Sequence, residues 1–304
     1  MPELQSNPGI GAVEPSAAER ARTAVHLSGP LTLYVAGGPA ETRGRQVPLG
    51  GVDAEGAPLL VLEVEDPLVA AVRGVRPDAG DVPAVVEVAD LCPLPVPEPV
   101  RSQVWLAGWL TELTGQERTT AALAVADRNP APELLDIGTT RTVLRLELGQ
   151  VLVGTGAPAG PGVIDVAAVD VDVEAYAAAA PDPIADEEAA HLAHLAYVHA
   201  EDLALLAALV DPDGRGGPGT VVPERLDRYG LGLCVRGAAG WRHHRLPFGA
   251  PLARADELPG AMQALLREAI ACCSRHRAGR PADDRVRWAC RRLRPTLRVS
   301  RLPS

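Results

Sequence analysis

Six short apolar segments, separated by turn residues, fill the first half of this chain and constrain its fold most strongly. Their sequences are LTLYVAG, QVPLGGV, PLLVLEV, AVVEVADL, VWLAGWL and TVLRLEL. Val and Leu dominate them, which is typical of β-strands. Asp53-Ala-Glu-Gly56 predicts a hairpin turn between two of them, and short helices are predicted at DPLVAAVRG and PAPELLDIG. This succession favours a small barrel over a layered parallel sheet.

The length of 304 residues predicts two domains, and shifts in composition indicate where they divide. We assign residues 1–16 to a flexible N-terminal arm, 17–157 to a barrel domain, 158–184 to a connecting segment, 185–275 to a small α+β domain and 276–304 to an Arg-rich tail. The arm is rich in Pro, Gly and Ser, and the connecting segment in Ala, Pro and Asp. The chain is therefore expected to be an α+β protein.

Signals at helix ends locate three longer helices. Ser16, with Glu19 three residues later, predicts a capping box at the start of the first. One continuous helix is predicted over 186–210, with three carboxylates at its positive end, and a last helix over 255–273. Two strands, LGLCVRG and WRHHRLPF, flank a Gly-Ala-Ala-Gly turn between these helices. The second domain is thus expected to be a helix–hairpin–helix unit.

Arginine supplies every basic side chain, because the sequence contains no lysine. The formal net charge is −10 at pH 7, which disfavours nucleic-acid binding. Residues 275–304 hold ten Arg and two Asp, a net charge of +8, so the rest of the chain carries −18. Two interpretations of this tail stay open: it lies on the acidic body, or it binds a phosphate-bearing or other acidic partner.

The five cysteines follow no CxxC spacing, so neither a zinc site nor a disulfide framework is predicted. The N-terminus has no apolar signal region, and no stretch of ~18 apolar residues could span a membrane. We therefore expect a cytoplasmic protein without membrane association.

Three histidines share the predicted long helix in HLAHLAYVHAED. In a continuous helix His191, His194 and His199 cover an arc of about 140°, so His199 points too far round to join the other two at one ion unless the helix bends. The segment is not HExxH. We predict no metal site here and expect the histidines at a domain or subunit boundary.

Sequence motifs of nucleophilic and nucleotide chemistry are missing: the sequence contains no GxSxG, no Walker loop and no GxGxxG after a strand. GTGAPAGPG near residue 154 holds two prolines and precedes no helix, so it favours a flexible connection over a phosphate cradle. These absences favour a non-enzymatic role.

Three segments of the second half carry a family resemblance. They are His194-Leu-Ala-Tyr-Val-His199-Ala-Glu-Asp-Leu203, Asp227-Arg-Tyr-Gly230 and Arg245-Leu-Pro-Phe248-Gly-Ala-Pro251. In this order they resemble the domain of unknown function 2470 (DUF2470). The matching signature residues are His194, His199, Asp227, Tyr229, Gly230, Pro247 and Phe248.

That domain commonly follows a split β-barrel of the FMN-binding, pyridoxamine-phosphate-oxidase-like superfamily, as in HugZ-like haem-utilisation proteins. The resemblance implies an α+β fold with an N-terminal split β-barrel followed by a small helix–hairpin–helix domain. It also implies a homodimer through the barrel. Trp105 and Trp109, four residues apart and hence on one side of a strand, either bury this interface or fill a core short of aromatics.

The resemblance further implies haem as a ligand. Haem needs an imidazole for its iron and cationic groups for its propionates. The candidates are His276 with Arg275 or Arg277, and His243 or His244 with Arg245. His243 and His244 are neighbours in one strand, so their side chains should face opposite ways.

FMN is not expected as a cofactor. The strands PLLVLEV and AVVEVADL supply acidic and aliphatic side chains, where FMN-binding members surround the phosphate with Arg, Lys, Ser and Thr. A flavin phosphate carries nearly two negative charges and needs charge-assisted donors.

Three functions are compatible with these residues. The favoured one is a haem-related binding protein with weak or no catalysis, whose enzymatic form would be a haem-degrading oxygenase. The second is a regulatory module with a protein partner, like the plastid protein that binds glutamyl-tRNA reductase. The third is a flavin-dependent oxidoreductase.

Overall fold

A computed structural model of the chain describes residues 14–27, 31–35, 44–74, 82–155, 168–210, 221–237 and 240–279, with side chains of the last helix described as far as residue 272. Most of the predicted N-terminal arm and of the Arg-rich tail lies outside these residues. The described chain divides into two compact units. The first unit comprises Pro15–Cys92 and Glu98–Ala185, and the second comprises the described residues that follow, together with Glu14 and Pro93–Pro97.

An eight-stranded antiparallel sheet builds the first unit. Its strands are β1 (Leu31–Val35), β2 (Arg45–Val47), β3 (Gly50–Val52), β4 (Pro58–Glu63), β5 (Val82–Leu91), β6 (Val100–Glu112), β7 (Arg141–Thr155) and β8 (Val169–Val171). Their order is β2–β1–β5–β6–β7–β4–β3, and β8 pairs with the second half of β7. The sheet curls into a half-barrel. The predicted hairpin turn is confirmed, because the Gly56 N–H donates to the Asp53 carbonyl at 3.0 Å between β3 and β4.

Three helices share the larger core of the half-barrel with its strands: α1 (Ala17–Leu27), α2 (Pro67–Arg73) and α4 (Val173–Ala178). Alternate residues of the strands point to the same core, as in β1, where every second residue is buried. Burial of this apolar surface drives the packing. The predicted capping box of α1 is confirmed: the Ser16 N–H donates to Glu19 at 2.8 Å, and the Glu19 N–H donates to Ser16 Oγ at 3.1 Å.

A helix that sequence reasoning missed lies on the opposite face of β4 from this core. Helix α3 (Gly115–Arg128) packs Ala121 and Val125 against apolar side chains of β4 and β7, in a second, smaller core. The predicted helix at PAPELLDIG is a short 3₁₀ helix, Pro132–Asp136.

The second unit combines three helices with a three-stranded sheet. The elements are α5 (Ala185–Val198), α6 (Ala200–Val210), β9 (Val221–Asp227), β10 (Gly230–Gly237), β11 (Gly240–Pro247) and α7 (Leu258–Gly279), with a 3₁₀ turn at Ala255–Glu257 before α7. The strands are antiparallel in the order β11–β10–β9. The predicted hairpin and last helix are both present. The predicted fold class, an N-terminal split β-barrel followed by a small helix–hairpin–helix α+β unit, is confirmed.

The prediction of one continuous helix over 186–210 is wrong. Helices α5 and α6 meet at His199 with a bend of 98°. No helix-breaking residue stands at this point, since Leu195–Leu203 contains neither Gly nor Pro. Side-chain contacts of His199, described below, accompany the bend. No single helix of the described chain has the length and apolar composition of a membrane span, although α5 and α6 pass that test jointly as a bent pair.

Candidate functional site

The two neighbouring histidines of β11 lie on opposite faces of the small sheet, as predicted. His243 pairs with Cys234 of β10, and His244 pairs with Leu233. Arg245 follows His243 by two residues and therefore shares its face. Of the haem-ligand candidates on β11, the fold brings His243 and Arg245 to one face and places His244 on the other.

A β-bulge in β9 brings a carboxylate to His243. Pro223 pairs with Leu233 and Arg225 with Gly232, so Glu224 is the extra residue of the bulge. Glu224 Oε2 lies 2.7 Å from His243 Nδ1. An ionised carboxylate only accepts hydrogen bonds, so Nδ1 carries the ring proton and Nε2 of the neutral ring keeps its lone pair.

Burial divides this pair into a fixed part and an accessible part. The Glu224 side chain is 15% exposed and the His243 side chain 44% exposed. The carboxylate is therefore held in the protein, whereas the imidazole is open to an incoming ligand.

Cys234 completes a group of three metal-ligating side chains, one from each strand. The ligand atoms of Glu224, Cys234 and His243 all lie within 4.8 Å of one another, and Cys234 is fully buried. Imidazole nitrogen, thiolate sulfur and carboxylate oxygen are ligands that Zn²⁺ accepts. Sequence reasoning did not group these residues, because three separate strands supply them without a spacing motif.

Arg245 is held by an ion pair on the same face. Its Nη2 donates to Asp227 Oδ1, which also accepts the Tyr229 N–H at 2.9 Å. The side chains of Arg245 and Asp227 are 15% and 9% exposed. Within the described chain, Arg245 Nε and Asp227 Oδ2 are buried without a hydrogen-bond partner. The guanidinium is thus fixed in place, and its Nε–H is a donor that no described acceptor uses.

The other predicted haem-ligand group falls at the end of α7. Arg275, His276 and Arg277 belong to the helix, but their side chains lie outside the described residues. These assignments stay predictions.

Three residues that carry the resemblance to DUF2470, Gly230, Pro247 and Phe248, lie where β10 and β11 are joined. A Cβ on Gly230 would lie 2.3 Å from the Leu246 carbonyl oxygen, so the close pairing of β10 with β11 requires glycine. Pro247 is the residue that pairs with Gly230. The buried Phe248 donates its N–H to the Tyr229 carbonyl at 2.8 Å. These contacts fasten the turn between β9 and β10 to the end of β11.

The remaining signature residues, His194 and His199, meet at the bend between α5 and α6. Their Nε2 atoms lie 3.2 Å apart, and His199 Nδ1 lies 3.1 Å from Asp202 Oδ2. His191 instead pairs with Glu187 at 3.0 Å. The sequence analysis separated His199 from His194 only for a helix without a bend, and the bend at His199 removes that separation.

The first unit carries an open cavity of about 980 Å³. Its lining includes Tyr34, Trp105 and Trp109. The two tryptophans pair with Glu87 and Pro83 of β5 in unbroken register, so they share one side of β6, as predicted. Trp105 is fully buried, and its Nε1 has no hydrogen-bond partner within the described chain, whereas Trp109 is 46% exposed. A Cβ on Gly149 would lie 2.7 Å from the Trp109 ring, so glycine lets the ring lie against β7.

The charge of this cavity is acidic. Asp170 and Asp172 belong to the lining, and no basic side chain occurs among the described residues that form it. Such a surface offers a phosphate no charge-assisted donor.

No protein-family model and no curated protein match this sequence. Among solved structures, the chain is similar to a haem-binding protein from Mycobacterium smegmatis, with 28% identity and a TM-score of 0.56 over 85% of this chain and 99% of that one. A protein of unknown function from Agrobacterium tumefaciens matches with 17% identity and a TM-score of 0.37, over 86% of this chain and all of that one. An FAD- and haem-binding protein from Mycobacterium smegmatis matches with 14% identity and a TM-score of 0.32, over 51% and 81%.

Proposed function

We propose that this protein binds haem, in a role with weak or no catalysis. The similarity to the haem-binding protein from Mycobacterium smegmatis, which extends over nearly all of that chain, supports a haem-related role. The resemblance of the second unit to DUF2470 supports it from the sequence, since that domain accompanies split barrels in haem-utilisation proteins.

His243 is the residue that we propose as the iron ligand. The observation that carries this assignment is the 2.7 Å contact between His243 Nδ1 and Glu224 Oε2. Histidines that bind metals typically donate their second ring N–H to a carboxylate or carbonyl, which fixes the ring and strengthens the ligand nitrogen. Nε2 of the partly exposed His243 is then the nitrogen that binds iron.

Arg245 is the residue that we propose for a haem propionate. It lies two residues from His243 on the same face of β11, so one planar ligand could meet both side chains. A guanidinium pairs well with carboxylates, and Asp227 already holds this one in position.

The experiment is a haemin titration of the full chain, followed by the Soret band. We expect a saturable band in the wild type and its loss in His243→Ala. Glu224→Gln should weaken binding about 10- to 100-fold, the usual cost of removing a carboxylate behind a ligating histidine. His244→Ala is the matched control from the neighbouring position and should behave as wild type.

His276→Ala completes the set. If only this variant loses the band, haem binding stands and the assignment of His243 fails. If the wild type gives no saturable band, the haem proposal itself is wrong, and the regulatory module with a protein partner becomes the better hypothesis.

A further inference from the structure

We infer that His194 and His199 form a binding site for one divalent transition-metal ion of the Zn²⁺ type. This site is separate from the proposed haem ligand His243 and does not depend on it. It takes its form from the bend between α5 and α6.

The bend brings together two imidazoles that a continuous helix would separate. Residues five apart point about 140° away from each other on a straight α-helix. Here the 98° bend places the two Nε2 atoms 3.2 Å apart. Since the segment contains neither Gly nor Pro, backbone chemistry alone does not call for a break at this point.

The spacing of the rings matches chelation of a single ion. Two nitrogens that each lie about 2.0–2.1 Å from a tetrahedral ion are roughly 3.3 Å apart. Ring centroids in that arrangement lie roughly 5 Å apart, by the same geometry. The observed values are 3.2 Å between the nitrogens and 4.9 Å between the centroids, with the ring planes at 64°. The ligand atoms are therefore placed for one ion with little movement.

Asp202 orients one of the two rings. Its Oδ2 lies 3.1 Å from His199 Nδ1, so this nitrogen carries the ring proton and Nε2 of the neutral ring is the lone-pair atom. Without a metal, His194 Nε2–H donates to that lone pair. On binding an ion, His194 moves its ring proton from Nε2 to Nδ1, and both Nε2 lone pairs face the metal. The carboxylate–histidine–metal arrangement is a common way to position such a ligand.

The site is accessible and leaves coordination positions open. The His199 side chain is 45% exposed and Asp202 is 37% exposed, while the adjacent Tyr197 and Val198 are among the most exposed apolar residues. Two imidazoles occupy half of a tetrahedral shell, and water or a ligand donor would fill the rest. Imidazole ligands suit Zn²⁺, Ni²⁺ and Cu²⁺ better than Ca²⁺ or Mg²⁺.

The test is calorimetric titration of the metal-free full chain with ZnCl₂. We expect the wild type to bind one Zn²⁺ ion tightly, and the affinity for that ion to fall by at least about tenfold in both His194→Ala and His199→Ala. Asp202→Asn should lower the affinity for the same ion by about tenfold. His191→Ala, one turn before His194 on the same helix, is the matched control and should leave the titration unchanged.

Co²⁺ absorption identifies the ligand atoms independently. A site built from imidazoles gives ligand-field bands without the strong near-ultraviolet thiolate-to-metal band that the group around Cys234 would produce. The inference is wrong if His194→Ala and His199→Ala bind Zn²⁺ as wild type does. It is equally wrong if Cys234→Ser, rather than the histidine variants, removes the tight ion.

Discussion

The guanidinium of Arg22 lies over the ring of Tyr176, with Cζ 5.3 Å from the ring centroid. Arg22 donates to the Ala54 carbonyl at 2.8 Å and to the Ala179 carbonyl at 2.9 Å, and Tyr176 donates its hydroxyl to the Gly56 carbonyl at 2.8 Å. Both side chains are buried. They clamp α1 and α4 to the turn between β3 and β4, and this clamp sets two expectations for stability.

The first concerns alkaline pH. Burial raises the pKa of Tyr176 to about 12, and the Arg22 cation offsets part of that rise. A tyrosine whose pKa is raised in the folded state binds its proton more tightly there than in the unfolded chain. The contribution of Tyr176 to the free energy of unfolding is therefore complete below about pH 10 and is lost as the pH rises toward about 12. The total loss is about 2–3 kcal/mol.

Urea unfolding at several pH values from about 8 to about 11 measures this effect as the difference between wild type and Tyr176→Phe. The free energy of unfolding of the wild type should fall more steeply with pH than that of the variant. Parallel curves would mean that Tyr176 does not keep its proton in the folded state.

The second expectation concerns Gly56. Its φ is +85°, and an added Cβ would lie 1.4 Å from Arg22 Nη1 and 2.8 Å from the Tyr176 hydroxyl. Gly56→Ala must therefore strain the backbone and also displace Arg22. We expect it to lower the free energy of unfolding by about 3 kcal/mol. Gly115→Ala is the matched control, because Gly115 has φ +52° but nothing within 4 Å of the added Cβ. The free energy of unfolding of Gly115→Ala should fall by only about 1 kcal/mol. Equal losses in Gly56→Ala and Gly115→Ala would contradict a role for the clamp.

The pair formed by Arg245 and Asp227 should show strong coupling. Removing one partner leaves a mostly buried charge without its counter-ion, which costs about 3 kcal/mol. Arg245→Met and Asp227→Asn should therefore each lower the free energy of unfolding of the second unit. In the double variant, the decrease should be clearly smaller than the sum of the two single decreases. Arg254→Met, which breaks the exposed pair with Asp256, should change little. A double-mutant cycle in urea measures the coupling, and additive losses would count against a close ion pair.

FMN should not bind to the cavity of the first unit. Asp170 and Asp172 line it without a described basic side chain beside them, so the flavin phosphate would meet like charge. Titration of FMN with the protein should leave flavin fluorescence unchanged. Saturable quenching that Trp109→Ala abolishes would place a flavin against this wall and refute the expectation.

The elements of the fold that depend on interactions between residues close in sequence could be predicted. Ser16 with Glu19 indicated the first helix, and segments rich in Val and Leu between turn residues indicated the barrel strands, since both signals act within a few residues. Strand β9 was not predicted, because Pro223 disfavours a strand. Its position at the edge of the small sheet removes that penalty, because an edge strand tolerates a missing N–H. Helix α3 was not predicted either, because only Ala121 and Val125 are buried along it and its apolar face is therefore weakly marked in the sequence.

The candidate sites depended on long-range geometry and were harder to anticipate. The opposite orientation of His243 and His244 follows from strand periodicity and was predicted. The approach of Glu224 to His243 follows from a bulge and from cross-strand register, neither of which a local pattern encodes. The meeting of His194 with His199 required a bend without a helix breaker.

The bulge at Glu224 makes the proposed iron-ligand pair depend on the length of β9 as well as on its composition. Deleting Pro223 would restore regular pairing with β10 and place Glu224 opposite Leu233, on the face away from His243, with both side chains of the pair still encoded. His243 would then lose the acceptor that sets its tautomer. In this small sheet a change of one residue in strand length would therefore weaken ligand binding about as much as replacing Glu224 itself.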